Sequence, residues 1–181
     1  MAAFFPFFEA AQAKGAAVFV HALKPAGMDR LVGPAQQLRP ALACPTDVGL
    51  AAASCLSSNL IERFPQMRIA FSHGGGTLAM LLPRLEQARK VFAPLREAIT
   101  SSPTEQARKL YYDSLVFDAP TLRHLVERFG ASQLMIGTDY PFAFHDRTPV
   151  QSVLDAGFDA PTSELLVRGN ARRFLGLDLN N

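Results

Sequence analysis

Met67-Arg68-Ile69-Ala70-Phe71-Ser72-His73-Gly74-Gly75-Gly76 is the stretch that decides how this chain folds. Its apolar run, bounded by Pro65 and the glycines, has the length and punctuation of a buried strand. The strand delivers an imidazole to its carboxyl end, and three glycines let the backbone turn sharply and approach a ligand closely. Two other strand-like segments end in the same manner: Val18-Phe19-Val20 in His21, and Leu134-Met135-Ile136-Gly137-Thr138 in Asp139-Tyr140-Pro141. Carboxyl ends of parallel strands are where α/β proteins place chemistry. Two histidines and an aspartate at three such ends suggest a metal-dependent active site.

Strand and helix patterns alternate around this segment. The spacing predicts a helix over Phe4 to Lys14 and a strand over Ala17 to Val20. Leu23 to Leu42, rich in proline and glycine near its start, predicts a long loop. Thr46-Asp47 has the form of a cap for a helix running to about Phe64, where Pro65 stops it. A helix over Leu78 to Lys90 follows the glycines. Ser102-Pro103-Thr104-Glu105 has the form of a capping box with proline at the first helical position. It leads into a third strand, Leu110 to Asp113. Asp118 caps a helix over Ala119 to Phe129, and Gln133 to Gly137 is a fourth strand. Short helices at about Val150 to Ala156, Ser163 to Val167 and Ala171 to Leu175 complete the pattern. Alternation of this kind means a parallel sheet covered by helices. An open doubly wound sheet and part of a (β/α)8 barrel both satisfy it.

The length of 181 residues suits one domain, 1–181, with a real core. A hydrophobic content of 49% with 19% charged residues is that of a soluble globular protein. The net charge of +2, with no basic block, argues against a nucleic-acid partner. Cys44 and Cys55 have no metal or disulfide spacing, so each reads as a small buried hydrophobe in a reducing, cytoplasmic compartment. Met1 to Phe8 is apolar but short and is followed by Glu9 and Lys14, which suits neither a signal peptide nor a membrane span.

The chemistry follows from donor types. A divalent ion takes neutral imidazole nitrogens and carboxylate oxygens, and polarises a substrate oxygen at an open position. A second imidazole beside it can carry a proton near neutral pH. His124 falls on a predicted helix, remote from any strand end, and reads as structural. His145 is near enough to Asp139 to reach the same rim, and Asp113 faces either the rim or a loop. Two motif matches are discounted. His73-Gly74-Gly75-Gly76 matches an esterase oxyanion loop, but no Gly-x-Ser-x-Gly elbow exists here. Gly74-x-Gly76-x-x-Ala79 mimics a dinucleotide fingerprint without the acidic residue expected about 20 positions later.

Taken together, Val18 to His21, Glu62-Arg63-Phe64-Pro65 running to Gly76, Tyr111 to Ser114, Gly137 to Phe142 and Gly169-Asn170-Ala171 resemble the amidohydrolase-related (amidohydrolase 2) family, close to the aminocarboxymuconate-semialdehyde decarboxylases. The resemblance covers nearly the whole chain and implies α/β architecture, a partial TIM-like (β/α)8 barrel of about four parallel strand-helix units with flanking helices. These strands would be the fifth to the eighth, with the N-terminal units lacking. Residue by residue, His21 resembles the fifth-strand metal histidine and Asp139 the metal-contacting aspartate. His73 resembles the acid/base histidine, and Arg84 an arginine that reaches a neighbouring subunit's substrate carboxylate. A guanidinium suits that role because its fork grips a carboxylate bidentately.

The family opens with a His-x-His pair, and this chain has none; its closest histidines, His124 and His145, are 21 residues apart. The resemblance therefore implies a divalent metal, zinc, in an incomplete site, a small carboxylated substrate and a homo-oligomer. The expected function is the C-terminal part of a metal-dependent decarboxylase or hydrolase, impaired in this form. The alternative is a non-catalytic, self-associating or partner-bound α/β fragment, since an open half-barrel exposes strand edges.

Overall fold

Four parallel strands, paired in the order in which they occur along the chain, form the spine of the molecule. They are β1 (Ala17–Val20), β2 (Arg68–Phe71), β3 (Tyr111–Asp113) and β4 (Leu134–Met135). The computed structural model describes residues 2–177. The registers Phe19↔Ala70, Ala70↔Tyr111 and Tyr112↔Leu134 keep the strands in step. A doubly wound sheet reverses its strand order at a switch point. This one does not reverse, and its order is that of a barrel segment.

Helices fill every crossover. α1 (Phe5–Ala13) precedes β1, and α2 (Ala35–Leu38), α3 (Cys44–Ser57) and α4 (Leu60–Arg63) join β1 to β2. α5 (Leu78–Val91), α6 (Ala93–Ala98) and α7 (Pro103–Ala107) join β2 to β3, and α8 (Ala119–Phe129) leads to β4. α9 (Pro149–Asp155), α10 (Ala160–Glu164) and α11 (Asn170–Leu175) follow. Among the described residues no helix is long and apolar enough to cross a membrane.

Strand alternation divides the interior in two. Val18, Val20, Ile69, Phe71 and Tyr112 face the helices and join the main core, with Leu56, Leu60, Leu82, Leu122 and Phe129. Tyr112 stacks on Phe129 at 3.7 Å, and its hydroxyl donates to the Ala107 carbonyl at 2.8 Å. Ala17, Ala70, Tyr111 and Met135 face the other way and pack on Phe174 of α11 in a small second cluster. Phe19 lies on that inner face of the edge strand and is 48% exposed.

Three local expectations need correction. The 23–42 segment is not all loop: helix begins at Ala35 and runs on through a wide turn over Arg39–Ala43 into α3. Pro40 lacks the N–H an α-helix needs there, and Cys44 N–H donates to the Arg39 carbonyl five residues back. Thr46-Asp47 is consequently no cap; the helix is already formed, and the Thr46 hydroxyl donates to the Leu42 carbonyl. The helix also breaks before Phe64, at Asn59 (φ 51°). Asn59 accepts from Thr100 and its amide donates to the Ala98 carbonyl, locking the break to the segment after α6.

The three glycines serve packing as much as turning. A Cβ on Gly76 (φ 59°) would stand 1.9 Å from the Pro45 carbonyl oxygen, and one on Gly75 2.6 Å from the Tyr112 ring. Gly157 shares a positive φ of 71° but faces open space. Gly157→Ala should therefore cost about 1 kcal/mol, the strain of a left-handed alanine. Gly76→Ala adds a backbone collision to that strain and should cost well over 3 kcal/mol or abolish folding. Urea unfolding of the two variants checks the ordering, and equal losses would contradict the tight α3–glycine contact.

Candidate active site

The rim at the carboxyl ends of the strands brings His21, His73 and Asp139 together. His21 follows β1, His73 follows β2 after Ser72, and Asp139 stands beyond β4. His21 Nε2 lies 3.1 Å from Asp139 Oδ1, and His73 Nε2 lies 3.6 Å from Oδ2. The imidazole centroids are 4.9 Å apart. One nitrogen or oxygen from each residue falls within 4.8 Å of the others, close enough for one ion to touch all three. Phe142 stacks parallel to His21, with ring centroids 6.1 Å apart.

Backbone strain marks the same residues. Four non-glycine residues have positive φ among those described, and two of them are His73 (55°) and Asp139 (64°). Such conformations cost on the order of 1 kcal/mol or more and persist only where surroundings enforce them. For His73 the enforcing group is Asp113. Its fully buried carboxylate accepts the Gly74 N–H at 2.8 Å and the Leu115 N–H at 3.1 Å, and the His73 N–H as well. Asp139 is held by the loop after it, where Phe142 N–H donates to its carbonyl at 3.0 Å. The Tyr140–Pro141 peptide bond in that loop is cis.

Burial sets the charges. Desolvation pushes the Asp113 carboxyl up to about 6, against three backbone hydrogen bonds that pull it down, with Asp139 nearby adding repulsion. Desolvation also lowers the His73 pKa, with His21 pulling the same way and Asp139 opposing. His73 is therefore a neutral imidazole near pH 7, offering a lone pair or a site for a proton. Its Nδ1 meets the Ser72 hydroxyl at 3.2 Å, which leaves Nε2 facing Asp139.

A cavity of about 450 Å3 opens over the cluster. His21, His73 and Asp139 form its floor, and Leu23, Pro40, Phe142 and Phe144 supply apolar wall. Arg39 and Cys44 reach it from the two ends of the wide helical turn. Nothing in the sequence marked Arg39, since a wide turn has no periodic signature; Cys44 is the small buried residue expected, here at the edge of the cavity.

Other candidates fall elsewhere. Arg84 is exposed on α5, in a shallow apolar groove with Leu81, Pro83 and Phe92, and does not line its own chain's cavity. His124 lines a hollow between α5 and α8. His145 Nδ1 contacts the Phe142 carbonyl at 2.5 Å, bracing the loop outside the cavity. Asp118 caps α8 through the Thr121 N–H at 2.9 Å. Asp113 is neither a loop residue nor a ligand; it braces the rim from beneath.

Comparison with known proteins places this geometry in context. The amidohydrolase family model matches residues 1–177. A 2-amino-3-carboxymuconate-6-semialdehyde decarboxylase of Dictyostelium discoideum is 34% identical over 180 residues, which is 97% of this chain and 49% of that protein. A 6-methylsalicylic acid decarboxylase of Penicillium expansum is 31% identical, over 80% of this chain and 44% of its own. The chain thus spans about half the length of the curated relatives it matches. In structure it is similar to the apo IDCase of Metarhizium anisopliae, with a TM-score of 0.85 and 23% identity over 97% of this chain and 52% of that one. The 2,6-dihydroxybenzoate decarboxylase from Rhizobium gives a TM-score of 0.78 at 20% identity, over 96% of this chain and 55% of its own.

The brace can be tested apart from any chemistry. Asp113→Ala should cost about 2–4 kcal/mol, because it leaves buried N–H groups unpaired. Asp113→Asn keeps an acceptor for Gly74 and Leu115 and should recover most of that loss. Denaturant unfolding at pH 7.5 compares them, and equal stabilities would remove Asp113 from this role.

Proposed function

The chain belongs to the amidohydrolase family, and on that premise we propose that it carries the metal- and proton-handling part of a divalent-metal-dependent carboxy-lyase acting on a small carboxylated substrate. The observation behind the proposal is the convergence of His21, His73 and Asp139 within 4.8 Å at the floor of one cavity. Two imidazoles and a carboxylate suit a borderline or hard divalent ion. His21 and Asp139 are the proposed ligands, and zinc the proposed ion. When bound, it supplies a Lewis acid that stabilises charge developing on a substrate oxygen.

The chain's own residues do the rest. His73, beside the ligands and lowered in pKa chiefly by burial, takes up a proton and delivers it from Nε2. In a decarboxylation the bond from carbon to carboxyl breaks, carbon dioxide leaves, and the electron pair on carbon takes that proton. Asp113 holds the His73 backbone at the angle that aims the ring. Phe142 and Phe144 present apolar rings to one side of the cavity, which suits a flat, unsaturated acid whose π system can delocalise that electron pair. Arg84 would meet a substrate only in a neighbouring copy, in a homo-oligomer; a cytoplasmic setting completes the proposal. Curated relatives named as decarboxylases favour carboxy-lyase over hydrolase chemistry.

A second reading has its own observation. β1 and β4 each have one unpaired edge among the described residues, and Phe19 on β1 is half exposed. Such edges favour pairing with another chain, so the domain would act as a self-associating module without turnover.

Zinc titration with carbon dioxide detection on a panel of hydroxybenzoates separates the two. The expected outcome is one zinc per chain, bound in the micromolar range or weaker because the ligand set is small, with slow carbon dioxide release. His21→Ala and Asp139→Ala should each weaken zinc by about 10-fold or more. His73→Gln should keep most zinc affinity and lose the release. A chain that takes up no zinc, yet elutes as a stable oligomer, would leave only the second reading.

A further inference from the structure

The cavity contains one permanent cation of its own, and it is not Arg84. Arg39 lines the wall over His21, His73 and Asp139, and among the described residues no other lysine or arginine does so. The turn that carries it is unusual for a helix. Pro40 within it and Pro45 just after it withhold N–H groups, and the backbone widens so that Cys44 N–H reaches back to the Arg39 carbonyl. Wide turns of this kind recur at functional sites.

The Arg39 side chain is exposed at the cavity and has no ion-pair partner among the described residues. One terminal nitrogen donates to the Leu23 carbonyl on the loop after β1, and a second contact is to the Cys44 sulfur. Both are uncharged acceptors, and they leave much of a five-donor fork unused. Among the described residues no ion pair reaches Arg39, and the one carboxylate lining this cavity, Asp139, is engaged by both histidines. A fork with donors to spare and no ion-pair partner among the described residues, on an apolar-walled cavity, has the geometry of a carboxylate receptor.

We propose that Arg39 is the cation that binds the carboxylate of a small acid in this cavity, within the same chain as the His21–His73–Asp139 cluster. The inference rests on the carboxy-lyase reading and deepens it by locating the carboxylate subsite. An acid gripped there sits with its ring against Phe142 and Phe144. Loss of the side chain would then discriminate against anions and spare neutral ligands of the same shape.

Benzoate and benzamide are the probes, a charged and a neutral ring of nearly equal size, titrated into the protein with and without zinc. Wild type should bind benzoate at least ten-fold more tightly than benzamide. Arg39→Gln, whose amide can still donate to the Leu23 carbonyl, should lose that preference while benzamide affinity stays within about two-fold. Arg39→Lys, with charge but no fork, should fall between. Thermal unfolding confirms that each variant is folded, and Arg39→Lys carries the test if the glutamine variant is not. Benzoate binding that is absent, no tighter than benzamide, or untouched by either substitution overturns the proposal. Zinc uptake is read in the same samples. If zinc fails to bind while the Arg39-dependent preference persists, the metal reading falls and the subsite stands; the reverse result removes the subsite alone.

Discussion

A single buried carboxylate holds the rim together. Asp113, at the end of β3, accepts N–H groups from the turn that ends β2 and from its own following loop. Without that acceptor the Gly74 and Leu115 amides would be buried and unpaired, a cost comparable to a large share of a domain's net stability. The bonds also explain why a histidine can stand at φ 55°. The left-handed conformation turns the chain so that His73 Nε2 faces Asp139 rather than continuing along the strand. Gly137 completes the arrangement: a Cβ there would stand 2.6 Å from the Asp113 Cβ, so β4 can pass close beside the brace only with glycine at that position.

What the sequence disclosed and what it concealed divide along a physical line. Strands and strand ends were legible, because a short apolar run between turn residues has few alternatives once burial on both faces is required. Ala17–Val20 was read to the residue, and β2 and β3 to within one or two at their ends. The 35–43 segment was not legible, because its prolines are local signals against helix while the energy that forms the helix comes from packing at Cys44, Val48 and Ala52 further on. Thr46 illustrates the same point. A threonine that looks like a cap bonds backward to Leu42 when the helix already extends past it. Arg39, and the place of the buried Cys44 beside the cavity, were missed for that reason, since both positions depend on the helix being continuous and wide at one turn.

The glycines after His73 teach a related lesson. Their flexibility suggested close approach of a ligand, and two of them instead admit Pro45 and the Tyr112 ring. Sequence alone cannot separate a glycine that makes room for substrate from one that makes room for its own chain. The distinction matters for design, because the first tolerates change in the absence of ligand and the second does not.

The inner face of the sheet raises a question of layering. In a closed barrel, inward side chains stack in layers supplied by alternate strands. Here Ala70, Tyr111 and Met135 come instead from three consecutive strands and form one apolar cluster, and Phe174 of α11 covers it with rings 5.3 Å apart at Tyr111. Arg68, at the start of β2, ties this lid down by donating to the Phe174 carbonyl at 2.6 Å and to the Gly15 carbonyl. The cluster is therefore closed by the chain itself, while Phe19 on the β1 edge remains half exposed among the described residues. Asp139 and the two histidines stand above that closed cluster. The β1 edge and the cavity meet at His21, which follows Val20 and lines the cavity, so a chain paired with that edge would sit beside the His21–His73–Asp139 cluster.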